Sequence, residues 1–504
     1  MRSRGPVFML SILLLTLCVL SASSFAIPAF SRQYGTSCTT CHVNFPKLND
    51  FGKAFKDAGF KFPKDDESFL KVPPVMLGAP AQKELWPHTV FPGTIPGLPP
   101  IGLRFNQFFQ FTPNSANNYN PAGTNNPNTS TVPRTDFEPG FFSIFMAGNF
   151  GSDIAFWVDD DLSVSGANAN GGLGDGYLKF VNIGRFFKLP TDSLSLRVGQ
   201  FELDLPFSQA RSINLSPWDI YTEANIGFGG TQNVNNVFAM QNAVQGFELS
   251  GGHQYAGYHY SLAIVNQQTN PNGPANPPNV SSPGGFFSDS NYKDVYGRFS
   301  YRFNLEKDPA SRHEVQAAGA TGPRDHTYLS LGTFFFKGRS VQRLGGGEAP
   351  VITAREPFYR VGGDFSFNYR TLNLFGLYMY GHDDDLLPNA TFNGFTNGPN
   401  AKFNGGFIQA DYLMLPWVMA IMRYDRVQSS ADFLNQAGSA NYFSPVGATR
   451  NRVTPGVQFL IHANIKASFE YAIRPKQALA YDSNGNAVSP FRTSTATGAL
   501  EFVY

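Results

Sequence analysis

The stretch VYGRFSYRFNLE places Val295, Gly297, Phe299, Tyr301, Phe303 and Leu305 on one face of an extended chain, and Arg298, Ser300, Arg302, Asn304 and Glu306 on the other. The separation follows because successive side chains of a strand point to opposite sides. IKASFEYAIR repeats the rule, with Ile465, Ala467, Phe469, Tyr471 and Ile473 opposed to Lys466, Ser468, Glu470 and Arg474. One face of each segment suits lipid and the other water. Such segments recur roughly sixteen times, each near the length that a tilted membrane strand needs. They lie near 101–112, 140–150, 153–161, 173–184, 194–201, 244–251, 255–267, 290–306, 326–340, 357–370, 372–383, 404–414, 416–427, 452–463, 465–475 and 493–504.

Alternation also occurs in soluble sandwiches, and composition argues against one here. The chain of 504 residues is 15% aromatic, with 49 Phe and 50 Gly, yet only 15% charged. Its mean hydropathy is nonetheless slightly polar at -0.21. The final ALEFVY alternates and ends in Tyr504, a closing strand of the kind that outer-membrane assembly machinery reads. Loop lengths give an independent test, because membrane barrels carry long loops at the outer mouth and short turns at the periplasmic one. Connections one, five, seven, nine, eleven, thirteen and fifteen are long and rich in Asn, Gly, Pro and Ser, as in NQQTNPNGPANPPNVSSPGG. Most others are tight. EKDPASRHEVQAAGATGPRD is the exception, too long for its side and open to an extra strand pair. The expected fold is all-β, a transmembrane antiparallel β-barrel of about sixteen strands over 101–504. Both ends of the chain then face the periplasm.

The N-terminus fixes the compartment independently. Arg2 and Arg4 precede an apolar run from Val7 to Leu20, and SSFA offers small residues for cleavage after Ala26. Residues 1–26 read as a secretory signal peptide. Cys18 leaves with it, so Cys38 and Cys41 are the two thiols of the mature chain, both within TSCTTCHVNFPKLNDFGKAF.

Two thiols three apart can add to the two vinyl groups of a porphyrin, with the following His42 offered to the iron. A thioredoxin-type dithiol expects a βαβ pattern, and none follows. A structural zinc site needs a second ligand pair, and no cysteine remains to supply it. Pro46 suits the first position of a helix, Leu48, Phe51 and Phe55 recur at helical spacing, and Gly59 suits its end. That stripe reads as cover for a haem face or as an ordinary small core. Lys47, Lys53, Lys56, Lys61 and Lys64 form either a docking face for an acidic partner or a solvated face. Residues 27–100 are thus expected to form a monohaem cytochrome c module with one covalent haem c, placed to plug the barrel from below.

PAFSRQYGTSCTTCHVNFPKLNDFGKAFKDAGFKF resembles the N-terminal segment of the fused outer-membrane monohaem c-type cytochrome-porin family associated with iron oxidation. The likeness is carried by the CxxCH followed by FP-x-LN-x-FG-x-x-F, and is sharp over residues 28–62. LRVGQFELDLPFS, residues 196–208, also resembles a strand-and-loop phrase of anion-selective porins. The first resemblance implies thioether links at Cys38 and Cys41 and a proximal ligand at His42. It further implies electron transfer across the outer membrane, between extracellular Fe(II) and a periplasmic c-type cytochrome.

The distal position has two candidates between the motif helix and the first strand, Met76 in PPVMLG and His88 in LWPHTV, and an open site is the third alternative. A Met raises the reduction potential and a His lowers it. Two acidic runs, Asp159, Asp160 and Asp161 and then Asp383, Asp384 and Asp385, fall at strand ends assigned to the outer mouth. They read as ordinary loop-base charges or as hard-oxygen attraction for Fe(II).

No Walker loop, dinucleotide turn or nucleophile elbow is present, and a net charge of +1 gives no footing to nucleic acid. Three functions remain open. The first is an electron conduit, acting if catalytic as an Fe(II):cytochrome c oxidoreductase. The second is a transport porin with a structural or sensing haem plug. The third is a haem enzyme acting on a small ligand such as peroxide.

Overall fold

The computed structural model describes residues 29–62, 66–88, 92–115, 132–138, 141–163, 172–222, 226–227, 235–236, 240, 243–266, 292–305, 327–344, 351–384, 401–429, 449–474, 477–481, 487–492 and 494–504. Alternating strands pair in chain order and close on themselves. We number them β1 (Ile101–Ser115), β2 (Val132–Glu138 with Phe141–Phe150), β3 (Ile154–Ser163), β4 (Gly172–Phe180), β5 (Ser195–Phe201), β6 (Val244–His253), β7 (Ala256–Asn266) and β8 (Lys293–Asn304). The second half comprises β9 (Tyr328–Leu344), β10 (Val351–Tyr369), β11 (Leu372–Asp383), β12 (Ala401–Leu415), β13 (Val418–Ser429), β14 (Thr449–His462), β15 (Ile465–Ala472) and β16 (Thr495–Val503). Both pieces of β2 lie against β1, one opposite its upper half and one opposite its lower, so they count as one strand. β16 pairs with β1 from Val503↔Arg104 to Ala496↔Phe111, which closes an antiparallel barrel of sixteen strands. Closure removes the open edge that a flat sheet would expose.

Each strand expected from alternation is present. β8 pairs directly with β9, so no strand pair intervenes at the over-long 305–327 connection. The connection between β9 and β10 shrinks to residues 345–350, because both strands run further than their alternation indicates. Gln477–Tyr481 and Ala487–Arg492 form an unexpected hairpin outside the barrel. The short turns, among them 370–371, 416–417 and 463–464, gather with the barrel's two ends at one mouth and most long connections at the other; the connections over 181–194 and 305–327 are long ones on the short-turn side.

The two faces differ as the period of two requires. Phe469 and Tyr471 stand on the outside, 53% and 41% exposed, while Lys466, Ser468 and Glu470 are buried on the inside. Phe299, Tyr301 and Phe303 are likewise exposed, and Arg302 is buried. Trp417, Met414, Leu415 and Tyr369 expose apolar surface at the short-turn rim. An apolar exterior with aromatic rims and a polar interior is the inverse of a soluble protein and matches a barrel in lipid.

The interior is filled. From below enters the N-terminal segment, with α1 (Ala29–Tyr34), a tight turn at Cys38–Thr40, short paired strands at His42–Asn44 and Lys47–Leu48, and α2 (Asp50–Asp57). From the opposite mouth, the connection after β5 folds inward, burying Leu203, Leu205, Ile213, Trp218, Ile220, Tyr221 and Met240. Ile213 packs separately with Leu413, Met419 and Ile421, and the others join Phe334, Phe336, Phe358, Phe375, Phe403 and Phe407 of the wall in one apolar core.

Candidate functional site

Asn49 explains why the motif reads LN-x-FG. It caps α2 by accepting from Gly52 N–H at 2.9 Å. Its amide also donates to the carbonyls of Thr39 and Thr40 at 3.2 and 3.0 Å, and its own N–H donates to Cys41 O at 2.9 Å. One buried side chain thereby satisfies a helix end and clamps the CxxC turn. Gly52 lies against that turn so closely that a Cβ would collide with the Cys41 carbonyl oxygen. The helix begins at Asp50 rather than at Pro46, because Asn49 supplies the cap and Pro46 sits in the preceding turn. Gly59 at φ +79° follows the helix end.

Cys38 and Cys41 are free thiols on one turn. Burial raises the Cys38 thiol above its ordinary range and pushes that of Cys41 up to about 12, so both are protonated at neutral pH. The His42 ring engages Pro46 O through Nδ1 at 3.2 Å. Burial holds its pKa down at about 4, leaving a neutral imidazole above that pH. A ligating His typically anchors one ring nitrogen on a carbonyl and presents the other to the metal. Two free thiols on one turn, an imidazole oriented through Nδ1, and a glycine giving backbone clearance fit covalent haem c. The five-residue run from His42 to Pro46 thus accounts for the FP of the motif.

Phe51 and Phe55 point into an aromatic cluster with Tyr34, Phe60 and Phe62, against which Cys41 also packs. Tyr34 stacks on Phe62 at 4.3 Å and Phe30 meets Phe55 edge-on at 4.9 Å. The cluster continues into the barrel wall through Ala147, Ala155, Val181 and Trp157. The stripe is therefore a small core shared with the barrel.

The lysines do not form an outward docking face. Lys47 donates to Asp411 at 2.7 Å and Asn373 at 2.9 Å, both on the wall. Lys61 donates to Ser152 O at 2.5 Å, and Lys53 pairs with Asp50. Lys56 is enclosed, and burial with Arg211 and Arg197 nearby drops its pKa to about 7. Lys64 lies outside the described residues. The reason is topological: the side of the module that free solvent would meet is surrounded by barrel. Further contacts hold it there. Arg302 grips both oxygens of Asp50 at 2.7 and 2.6 Å. Lys466 donates to Phe45 O at 2.8 Å, and Asn44 donates to Gln458 at 2.8 Å.

Met76 sits on an exposed pair, Val75–Met76 with Thr94–Ile95, and His88 is exposed in a following turn. No described interaction joins either to Cys38, Cys41 or His42. The acidic runs are not brought together: Asp159 to Asp161 lie on β3 and Asp383 ends β11, eight strands away in a ring of sixteen and so across the barrel. Asp159 accepts from Trp157 Nε1 at 3.2 Å and from Asp175 N–H at 2.5 Å, at a break in the β3–β4 register. Asp384 meets His382 at 3.2 Å. The side chains of Asp161 and Asp383, and all of Asp385, lie outside what is described. Among the described residues no cluster of three or more His, Cys, Asp or Glu could hold a metal ion.

Sequence reasoning missed the inward segment. It is tied down by Glu470, which accepts from Leu215 and Ser216 N–H at 2.7 and 3.0 Å, and by Arg452, which pairs with Asp219 and Asp425, both at 3.0 Å. Gln458 also donates to Ile213 O. The signal was present in FELDLPFS and SPWDIY, apolar runs inside a connection otherwise treated as polar loop.

No family model matches the chain, and no curated protein does. Among solved structures it is similar to the anion-selective porin from Comamonas acidovorans, at 10% identity and a TM-score of 0.47, over 80% of this chain and 98% of that one. It is also similar to Salmonella typhi OmpF in complex with daunomycin, at 9% identity and a TM-score of 0.41, over 80% and 97%. A third is OmpT of Vibrio cholerae expressed in the outer membrane, at 10% identity and a TM-score of 0.40, over 82% and 98%. By its own strand pairing the chain is a sixteen-stranded closed antiparallel barrel carrying a small N-terminal helical module inside it.

Proposed function

We propose that this protein is an outer-membrane electron conduit, an Fe(II):cytochrome c oxidoreductase in effect, with both termini on the periplasmic side. Residues 27–100 form its monohaem module and lumen plug. The observation that carries the reading is the position of the CxxCH turn within a barrel whose described interior is filled by an apolar core and by buried ion pairs. Cys38 and Cys41 would hold haem c through thioether links, and His42 would ligate its iron. Bound there, the haem supplies a one-electron centre. Asn49 and Gly52 fix the turn, Pro46 orients the imidazole, and Lys47, Lys466 and Arg302 fix the module to the wall. Leu203, Leu205, Trp218 and the wall phenylalanines exclude water from the space above.

A water-filled transport pore needs an open polar channel. The described lumen instead buries apolar side chains from both mouths. Electrons cross such a medium where solutes do not. The donor is extracellular Fe(II), the acceptor a periplasmic c-type cytochrome, and the barrel exterior meets outer-membrane lipid. Whether Met76, His88 or another group takes the distal position is read from the haem spectrum.

The test is reduction of the purified holoprotein by ferrous iron, followed in the haem absorption bands. Appearance of the ferrous spectrum is expected. A haem that Fe(II) never reduces, or large solute flux through intact reconstituted barrels, would reverse the reading in favour of a porin.

A further inference from the structure

The apolar half of the lumen is organised around one indole. Trp218 is 2% exposed and stacks on Phe407 of β12 at 4.8 Å with the rings 17° from parallel. Phe207 lies 6.2 Å from Trp218, 5.5 Å from Phe407 and 4.8 Å from Phe375 of β11. Tyr221 meets Trp218 edge-on at 6.1 Å. Such distances are those of favourable aromatic contacts. These five rings fill space, and the group is also wired to the module.

The wiring is a buried hydrogen-bond chain. Trp218 Nε1 donates to Gln409 at 3.2 Å, Gln409 donates to Asp411 at 2.8 Å, and Lys47 donates to Asp411 at 2.7 Å. Gln409 and Asp411 are 1% and 2% exposed. Lys47 follows Pro46, whose carbonyl anchors the His42 ring, and its Nζ lies 4.9 Å above the Phe375 ring. The π-contacts and the hydrogen bonds therefore begin at one indole and meet again at Lys47. β12 runs from the long-connection mouth at Ala401 to the short-turn mouth at Leu415, so Asp411, Gln409 and Phe407 climb away from the module. The four steps from Asp411 to Phe407 span about 13 Å along the strand.

We propose that Trp218, stacked on Phe407, is the element that couples an electron donor at the long-connection mouth to the redox centre at the CxxCH turn. This rests on the conduit reading. One electron leaves an external Fe2+, which becomes Fe3+, and is delivered to a ferric iron ligated by His42, which becomes ferrous; no bond forms or breaks and no proton moves. Trp218 is a positioning and coupling residue, neither oxidised nor reduced as an intermediate. Electronic coupling through packed rings and hydrogen bonds falls off more slowly than through saturated side chains or gaps. A branched alkyl side chain at this position would fill space without that coupling.

The experiment uses full-length holoprotein oriented in proteoliposomes, as wild type, Trp218→Leu, Trp218→Phe and Phe407→Leu. Trp218→Leu is expected to slow haem reduction by external Fe2+ roughly tenfold or more. Trp218→Phe, which keeps a ring, should restore most of the rate, and Phe407→Leu should slow it without touching the hydrogen bond of Trp218. Haem spectrum, midpoint potential and reduction by an impermeant reductant sealed on the short-turn side should not change, which separates coupling from misfolding. A second readout needs no turnover: the indole emission lost in Trp218→Phe should be quenched in holoprotein and recovered in the haem-free Cys38→Ala/Cys41→Ala variant. Equal Fe2+ rates in Trp218→Leu and wild type, or unquenched Trp218 emission, would overturn the proposal while leaving the conduit intact. Wild type that external Fe2+ cannot reduce would overturn both.

Discussion

Arg302→Met tests whether the module is held in the lumen by the contacts that the fold brings together. Arg302 is 4% exposed on β8, sends two charge-assisted bonds to Asp50 at 2.7 and 2.6 Å, and lies 3.5 Å above the Tyr328 ring. Methionine keeps much of the aliphatic volume and removes the guanidinium, leaving Asp50 with Lys53 at 3.3 Å. Breaking one side of a buried pair costs about 3–5 kcal/mol, and the remaining lysine argues for the lower end, about 3 kcal/mol. At about 1.4 kcal/mol per factor of ten, the population of undocked module rises roughly 100-fold. Limited proteolysis in detergent reads this population, because the barrel strands resist cleavage while an undocked segment 29–62 does not. The Arg302→Met/Asp50→Asn double variant should recover most of the loss, since removing both partners leaves no buried charge unmatched.

The pH dependence has a defined sign. Burial alone would raise the Asp50 carboxyl, but Lys53 and Arg302 hold it down at about 2. A carboxyl depressed in the folded state stabilises above its ordinary value near about 4, and that stabilisation is lost as pH falls toward the folded value. Wild-type cleavage should therefore accelerate only below about pH 4. In Arg302→Met the acid protonates an inadequately paired carboxyl, so cleavage should slow as pH falls toward about 4. Equal cleavage of wild type and Arg302→Met, or a double variant no better than the single, would refute the reasoning.

Replacing Cys38 and Cys41 by Ala should abolish haem-linked peroxidase staining of the full-length band while the barrel still assembles, as heat-modifiable gel migration reports. His42→Ala should keep the covalent stain and change the haem absorption spectrum. Lys56→Met should stabilise docking, with the gain largest at and below about pH 7 and fading toward about pH 10; a lysine depressed to about 7 by burial is penalised in the folded state wherever both states are protonated. Protease resistance measured across that range checks it. Deleting residues 27–100 should raise planar-bilayer conductance only modestly, because the inward segment after β5 still fills the other half of the lumen; replacing residues 203–242 by a short turn as well should open it fully. Neutralising Asp159 to Asp161 and Asp383 to Asp385 should slow Fe2+ encounter additively at low ionic strength and little at about 0.15 M, since the runs lie across the barrel from one another and surface charge is screened within about 8 Å.

The sequence by itself determined the barrel. A period of two is a local property: Lys466, Ser468 and Glu470 have to face one way if Phe469 and Tyr471 face the other, and loop-length parity then orders the mouths. The CxxCH turn is also a local feature, because two thiols and an imidazole at fixed spacing need no distant partner to be recognised, and its haem chemistry is what we propose from it. Asn49 and Gly52 belong to the same local class, legible as a motif before their contacts with Cys41 were known. Only the tertiary structure decided what fills the lumen. Nothing near Arg302 names Asp50 as its partner, and nothing near Trp218 names Gln409, because those pairs are separated by 252 and 191 residues and meet only when the ring of strands closes. The same closure turned Lys47 inward, where local charge patterning pointed it to solvent, and set Asp159 and Asp383 on strands eight apart in the ring. Alternation fixes which face a side chain takes, while the residue that it meets there is set by how many strands lie between them.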